Sequence, residues 1–198
     1  MEFEIKGIKI RFSFLFFFFF SLMFLLDQSG FVLMGFLAAL IHELGHVIAF
    51  VLVLDFPSEI SFEISGIKMV RSKKITSYKK EVFQLLMGSF FNFILFFILF
   101  FSLNSINRIS IFAVSHLILG IFNLLPIQAL DGGKLLRLFW EKKTDIQTAY
   151  RITNIISWST LLGLTVVSVI FFLHQKSGNL SFLLICIWMF SISLKKTV

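Results

Sequence analysis

Cysteine is almost absent: the 198-residue chain has one, Cys186, in an apolar segment. A single thiol excludes an internal disulfide, and any metal the chain holds must be ligated by histidine and carboxylate. Charge is scarce too. Charged residues make up 15% of the chain, against about 25% in ordinary soluble domains. Hydrophobic residues make up 58%, with 29 phenylalanines and a mean hydropathy of +0.94. That balance excludes a soluble globular domain and describes a polytopic membrane protein. Spans and short connections consume nearly all of residues 1–198, so one domain is expected, with no room for an appended soluble sensor. The net charge of +7 does not point to nucleic acid, because the basic residues are spread over the connections between apolar segments.

Six apolar segments can be drawn: Phe12 to Leu26, Phe31 to Leu54, Val82 to Leu103, Ile109 to Leu125, Ile152 to Leu173 and Leu180 to Leu194. Several fall short of the roughly 20 residues of a full span and must borrow flanking residues or sit in thinned bilayer. Sixteen of the 18 Lys and Arg residues fall at the amino-terminus, in the loops after the second and fourth segments, and at the carboxy-terminus. This inside-positive asymmetry alternates correctly only with six spans and both termini cytoplasmic. The first segment follows Lys6, Lys9 and Arg11 but has no A-x-A-like cleavage site, so it reads as a retained helix rather than a signal peptide. Its Phe14 to Phe20 run is lipid-facing filler. After the second segment, Ile60, Phe62, Ile64, Ile67 and Met69 alternate with polar residues around Gly66. That pattern predicts a short hairpin or edge strand, either a plain connector or an edge that takes an extended substrate by strand addition. Arg71 to Lys80 is basic and suits anionic headgroups. Beyond Pro126, Leu135, Leu136, Leu138, Phe139 and Trp140 interleave with Lys134 and Arg137, which predicts an interfacial amphipathic helix. The expected fold is therefore all-α, with about six transmembrane helices, a short hairpin after the second and an interfacial helix after the fourth. Its core is 31–140, with accessory spans 12–26, 152–173 and 180–194.

Inside the run from Phe31 to Leu54 stands His42-Glu43-Leu44-Gly45-His46, an H-E-x-x-H pattern. At helical pitch the two histidines lie about 40° apart around the axis, so both imidazoles can reach one tetrahedral zinc ion. Glu43 then sits where a general base belongs. Ionisable groups in hydrocarbon are costly and mark functional sites. Catalytic zinc usually has three protein ligands plus water, so a third ligand must come from elsewhere. Of the four aspartates, Asp27, Asp55 and Asp145 lie in ordinary loops. Asp131 follows Asn123-Leu124-Leu125-Pro126-Ile127-Gln128-Ala129-Leu130, where proline breaks the fourth segment, and precedes Gly132-Gly133. Alone, Asp-Gly-Gly is a turn or a helix N-cap; beside an intramembrane H-E-x-x-H it is the candidate third ligand. Gly88 and Asn92 share a helical face, where Gly88 admits a neighbouring helix and Asn92 either packs or meets substrate. His116 and Asn123 also share a face. His116 reads as a hydrogen-bonded core group rather than a metal ligand, and with Asn92 and Asn123 it is a candidate for the substrate or oxyanion side of the site, Asn123 as a positioning or oxyanion donor.

The His42 to His46 motif and the later Asn123-x-x-Pro126-x-x-x-Leu130-Asp131-Gly132 resemble the paired signature of the site-2 protease family of intramembrane zinc metalloproteases. The run Asn123 to Leu136 looks most like the stage IV sporulation branch, which processes a membrane-associated pro-sigma factor. The resemblance implies one zinc ion on His42, His46 and Asp131, with Glu43 as catalytic glutamate. Gly88-Ser89-Phe90-Phe91-Asn92 is similar to the family's G-x-x-x-N element, although relatives often carry proline where Ser89 stands, and the hairpin lacks their Pro-Gly-Gly pattern. The activity that the resemblance implies is hydrolysis of a peptide bond in or near a membrane-embedded segment of a tethered protein. That substrate is a pro-sigma factor, an anti-sigma factor or a remnant signal peptide. Membrane regulatory proteins are further expected partners, and a bacterial cell membrane the expected location. The rival from another class is a zinc transporter, since some permeases carry a similar helix. Those usually have an acidic residue after the second histidine, where Val47 stands here.

Overall fold

A computed structural model describes residues 2–5, 8–26, 30–53, 57–63, 66–71, 77–102 and 107–174, with positions 189 and 193. Its internal contacts fall into two units, Met1–Phe122 and Asn123–Val198.

The first unit begins with two short strands, β1 (Glu2–Ile5) and β2 (Ile8–Phe12), followed by helices α1 (Phe14–Leu26) and α2 (Phe31–Leu52). Strands β3 (Pro57–Glu63) and β4 (Gly66–Arg71) then form the hairpin that the alternation around Gly66 predicts. Pro57 stands at the first position of β3, where a missing N–H costs least. β2 pairs in parallel with β3, giving one four-stranded sheet in the order β1-β2-β3-β4 with β4 on an edge. A parallel pair needs a long crossover, and α1 and α2 supply it. Arg11 ties three strands together through Glu2 at 2.6 Å and Glu59 at 2.9 Å. Exposed ion pairs contribute at most about 1 kcal/mol, so backbone pairing dominates the sheet. Gly30, with φ 78°, opens α2 in the left-handed region that glycine adopts without strain.

Helix α3 (Tyr78–Ser102) packs on α2, and α4 (Asn107–Asn123) follows it. Lys80 Nζ donates to the Val53 carbonyl at 3.2 Å, satisfying an acceptor just past the end of α2. The α2–α3 contact is close because two glycines meet: a Cβ on Gly45 would lie 2.6 Å from the Met87 carbonyl oxygen and 3.1 Å from Gly88 Cα. Without a hydrophobic driving force in lipid, small residues and polar contacts hold helices together.

The second unit opens on the Asn123 to Leu130 turn and continues into α5 (Asp131–Glu141) and the long α6 (Ile146–His174), which pack on each other. Asp145 starts α6 by accepting the Thr148 N–H at 2.9 Å. The Thr148 side-chain and backbone hydrogen bonds hold its carboxyl below the usual range. A cap whose pKa is lowered stabilises above the ordinary carboxylate pKa, and that contribution is lost as pH falls through the lowered value. Asp145→Ala is therefore expected to loosen the start of α6 at neutral pH and to change little in strong acid, read by amide exchange of Gln147 and Thr148.

Polarity is inverted relative to a soluble core. Among the described residues, eight apolar side chains are buried against thirteen polar or charged ones, while Phe14, Leu25, Phe101 and Leu173 are each more than 70% exposed. That pattern suits a chain whose outside is lipid and whose inside is built from hydrogen-bonded groups.

Three helices, α2, α3 and α6, are long and apolar enough to cross a membrane. They correspond to the second, third and fifth predicted segments. The other three expected spans fare differently. The first begins at Phe12, which closes β2, so α1 has 13 residues, about 20 Å at helical rise against a hydrocarbon core of about 30 Å. The fourth yields a shorter apolar helix, Ile111–Asn123. The sixth lies outside the described residues except for helical positions 189 and 193, as does most of the basic stretch before Tyr78. The amphipathic helix expected after Pro126 is α5. The fold is mostly helical as expected, and the expected hairpin is half of a four-stranded sheet that recruits β1 and β2 from a stretch read only as a basic amino-terminus.

Candidate metal centre

α2 carries His42 and His46 one turn apart, both buried, with Glu43 partly exposed beside them. The close approach at Gly45 brings α3 against their rings. A Cβ on Gly88 would lie 2.5 Å from His46 Nε2 and 2.7 Å from both Cε1 and Nε2 of His42, so only glycine leaves room for two imidazoles there. The close approach expected of Gly88 is thus real, and α2 is the neighbour.

Each ring has a fixed partner on its far nitrogen. His46 Nδ1–H donates to the Gln84 carbonyl at 2.8 Å, and His42 Nδ1 meets the Asn92 Nδ2 amide at 3.2 Å. Asn92 in turn holds His116 through its Oδ1, 3.0 Å from Nδ1. The three elements therefore bring His42, His46, Asn92 and His116 into one buried chain, with both Nε2 atoms of the motif turned to each other. Asn92 thus bridges the His42 and His116 rings. His116 is buried and hydrogen-bonded to Asn92.

In the second unit, Asp131 is the first residue of α5 and is buried. Leu130 occupies the N-cap position and makes no side-chain cap bond, so the N-cap alternative for Asp131 does not hold. Its carboxylate instead accepts from Lys134 Nζ at 2.8 Å, and the first turn of a helix favours its negative charge. The two glycines behind it are forced. A Cβ on Gly132 would strike the Leu124 carbonyl oxygen and one on Gly133 the Ile127 carbonyl oxygen. Gln128 N–H donates to Ser157 Oγ at 3.0 Å, fastening the turn to α6. Asn123 ends α4 and is partly exposed.

The donors fit zinc. Two nitrogens about 2.0–2.1 Å from a tetrahedral ion stand about 3.3–3.4 Å apart, and the two Nε2 atoms are 3.1 Å apart. His42 and His46 each offer a ring nitrogen to one ion, and in the second unit Asp131 offers a buried carboxylate oxygen of the kind a third ligand needs. Gln84 and Lys134 escaped the sequence reading. A backbone carbonyl acceptor leaves no trace in sequence, whereas a lysine three residues after an acidic helix start was visible as an i,i+3 pair.

Residues 102–167 match the sequence model of peptidase family M50. The matched stretch holds Asn123 to Gly132 and lies beyond the His42 to His46 motif. The chain also shares the fold of the site-2 protease from Methanocaldococcus jannaschii. The TM-score is 0.70 at 21% identity, over 100% of this chain and 95% of that one. Curated proteins give no match.

Proposed function

We propose that this chain is an intramembrane zinc metalloprotease of the site-2 protease type, a single working domain whose zinc is held by His42, His46 and Asp131. The observation that carries the reading is the pair of buried imidazoles at tetrahedral spacing, with the buried Asp131 carboxylate at the start of α5 as the third donor the chain offers. Three helices fit to cross a membrane, the match to peptidase family M50 and the shared fold support it. A zinc transporter has no support from either comparison.

When bound, zinc would activate a water and polarise the scissile carbonyl. Glu43, next to His42 and partly accessible, takes the water proton and returns one to the leaving amine. His46 is oriented through Gln84, and Lys134 holds the Asp131 carboxylate in place. Asn123, at the end of α4, binds substrate or donates to the developing oxyanion. A substrate helix hides its carbonyls in its own hydrogen bonds, so it must unwind locally before attack. The substrate class is a membrane-tethered protein such as a pro-sigma or anti-sigma factor, and strand addition along the β4 edge is the route by which an extended segment would dock. The sporulation-type reading rests on Asn123 to Leu136 alone.

The test is cleavage of candidate tethered substrates co-expressed with the chain, together with metal analysis of purified protein. Stoichiometric zinc and a cleaved substrate are expected; purified protein that takes up no zinc overturns the reading. Asp131→Asn is expected to weaken zinc binding by more than the about 10–100-fold typical of outer-shell changes, measured by competition with a chelating dye. Reporter tags on both termini are expected in the cytoplasm. A carboxy-terminal tag reached from outside contradicts that orientation.

A further inference from the structure

The second unit has a basic hollow that the metal centre does not use. Where the start of α6 packs on α5, Arg137, Ile146, Gln147, Tyr150 and Arg151 line a cavity of about 460 Å³. Two guanidinium groups from two helices belong to its lining, and no carboxylate is among the described residues there. Arg137 is held in place: its Nε donates to Glu141 Oε1 at 2.6 Å, and its guanidinium lies 5.9 Å from the centre of the Tyr150 ring. That bond occupies one of the five donors an arginine carries. Arg151 is exposed, and its guanidinium has no hydrogen-bond or ion-pair partner among the described residues. The N-terminus of α6 is already satisfied by the Asp145 carboxylate, which accepts the Thr148 N–H, so the two arginines are what set the charge of the hollow.

Arg151 also stands at a border. At about 100° per residue, Ile146, Gln147 and Tyr150 lie to one side of it around α6, while Ile155, Leu162, Val166, Val169 and Leu173 lie within about 60° of it on the other. All five are exposed, from 38% at Val169 to 74% at Leu173, so an apolar strip runs along α6 away from Arg151. α6 is long and apolar enough to cross a membrane. Arg151 to Leu162 covers roughly 16 Å at helical rise, against about 15 Å for half the hydrocarbon core. The strip is therefore one leaflet deep by Leu162, with Arg151 at headgroup level.

We infer that this hollow is a headgroup site for one anionic phospholipid, whose phosphate sits between Arg137 and Arg151 and whose acyl chain lies along Ile155, Leu162 and Val166. Basic pockets between helices at a membrane surface take such headgroups, and the planar fork of a guanidinium matches phosphate oxygens. Tyr150 adds an amphipathic ring of the kind that settles at the interface. The strip favours a lipid over a soluble phosphate, which would gain nothing from the apolar side chains below Arg151. The site needs no metal and stands apart from the protease reading.

The experiment uses the full chain in neutral detergent micelles, with phosphatidylglycerol as probe and phosphatidylcholine as control, and native mass spectrometry to count retained lipids as their concentration is raised. One phosphatidylglycerol per chain is expected, held more tightly than phosphatidylcholine. Arg137→Gln and Arg151→Gln are each expected to weaken it about fivefold, and the double variant about 25-fold, from the usual contribution of one basic side chain near an anionic surface. Arg151→Lys keeps the charge and is expected to keep the preference, which separates lost charge from lost fold. Lys143, whose Nζ lies over the Phe139 ring, is not among the described residues lining the cavity, so Lys143→Gln is expected to change little. Glycerol phosphate, the headgroup without its tails, is expected to leave the lipid in place. Equal retention of the two lipids, or unchanged binding in the double variant, overturns the inference. A Lys143→Gln loss as large as that of Arg151→Gln overturns it in favour of diffuse surface charge, and displacement by an equal concentration of glycerol phosphate overturns it in favour of a soluble anion.

Discussion

Glu43→Gln is expected to lower cleavage of a tethered substrate by about 10²–10⁴-fold while the purified protein keeps its zinc. The two halves of that result come from different residues. In the proposed site zinc is held by His42, His46 and Asp131, none of which loses a donor. The replacement is nearly isosteric on a partly accessible position of α2, so the ring geometry behind it stays intact. A glutamine amide can donate to water, but it cannot take its proton, and it has none to return to the leaving amine. The loss should therefore appear in kcat rather than in KM, measured with a fixed substrate in micelles alongside metal content. Undiminished cleavage would remove Glu43 from the general-base role. Loss of zinc together with activity would mean instead that Glu43 supports the ligands rather than the proton transfer.

Much of the site was legible because its signals are local. H-E-x-x-H needs only helical pitch to set two imidazoles side by side, and Gly88 with Asn92 needs only a period of four. The hairpin was legible from alternation around Gly66, and α5 from its interleaved basic and apolar residues. What escaped depends on partners distant in sequence. Glu2-Phe3-Glu4-Ile5 and Ile8-Lys9-Ile10-Arg11-Phe12 alternate as strands do. Their basic residues before an apolar run instead gave them the look of a membrane-flanking tail, and only pairing of β2 with β3 makes them a sheet. The same strand takes Phe12 from the first apolar segment and leaves a helix of 13 residues. The contact of Asn92 with the His42 ring escaped for a related reason: sequence shows which face an amide lies on, not which ring from another helix meets it.

Gly88→Ala is expected to empty the metal site without unfolding the protein. A methyl group at position 88 would lie 2.5 Å from His46 Nε2 and 2.7 Å from His42 Nε2, distances that a carbon and a ring nitrogen do not share. The rings cannot give way easily, since His46 is held to the Gln84 carbonyl and His42 to Asn92 on their far sides. Overpacking of this kind costs about 1–3 kcal/mol, while alanine in a helix interior gains roughly 0.8–1 kcal/mol over glycine. The net cost is therefore at most about 2 kcal/mol, short of the roughly 5–15 kcal/mol that unfolds a typical domain. The displacement falls on the two nitrogens that must share one ion, so zinc content should drop from one per chain to nearly none, with cleavage lost in step. Gly120→Ala is the control: its Cβ meets the Phe93 ring first, at 2.8 Å, rather than an imidazole, and should leave zinc in place. Stoichiometric zinc in Gly88→Ala would mean that the imidazoles do not converge beneath this glycine, and the assignment of His42 and His46 as joint ligands would fail with it.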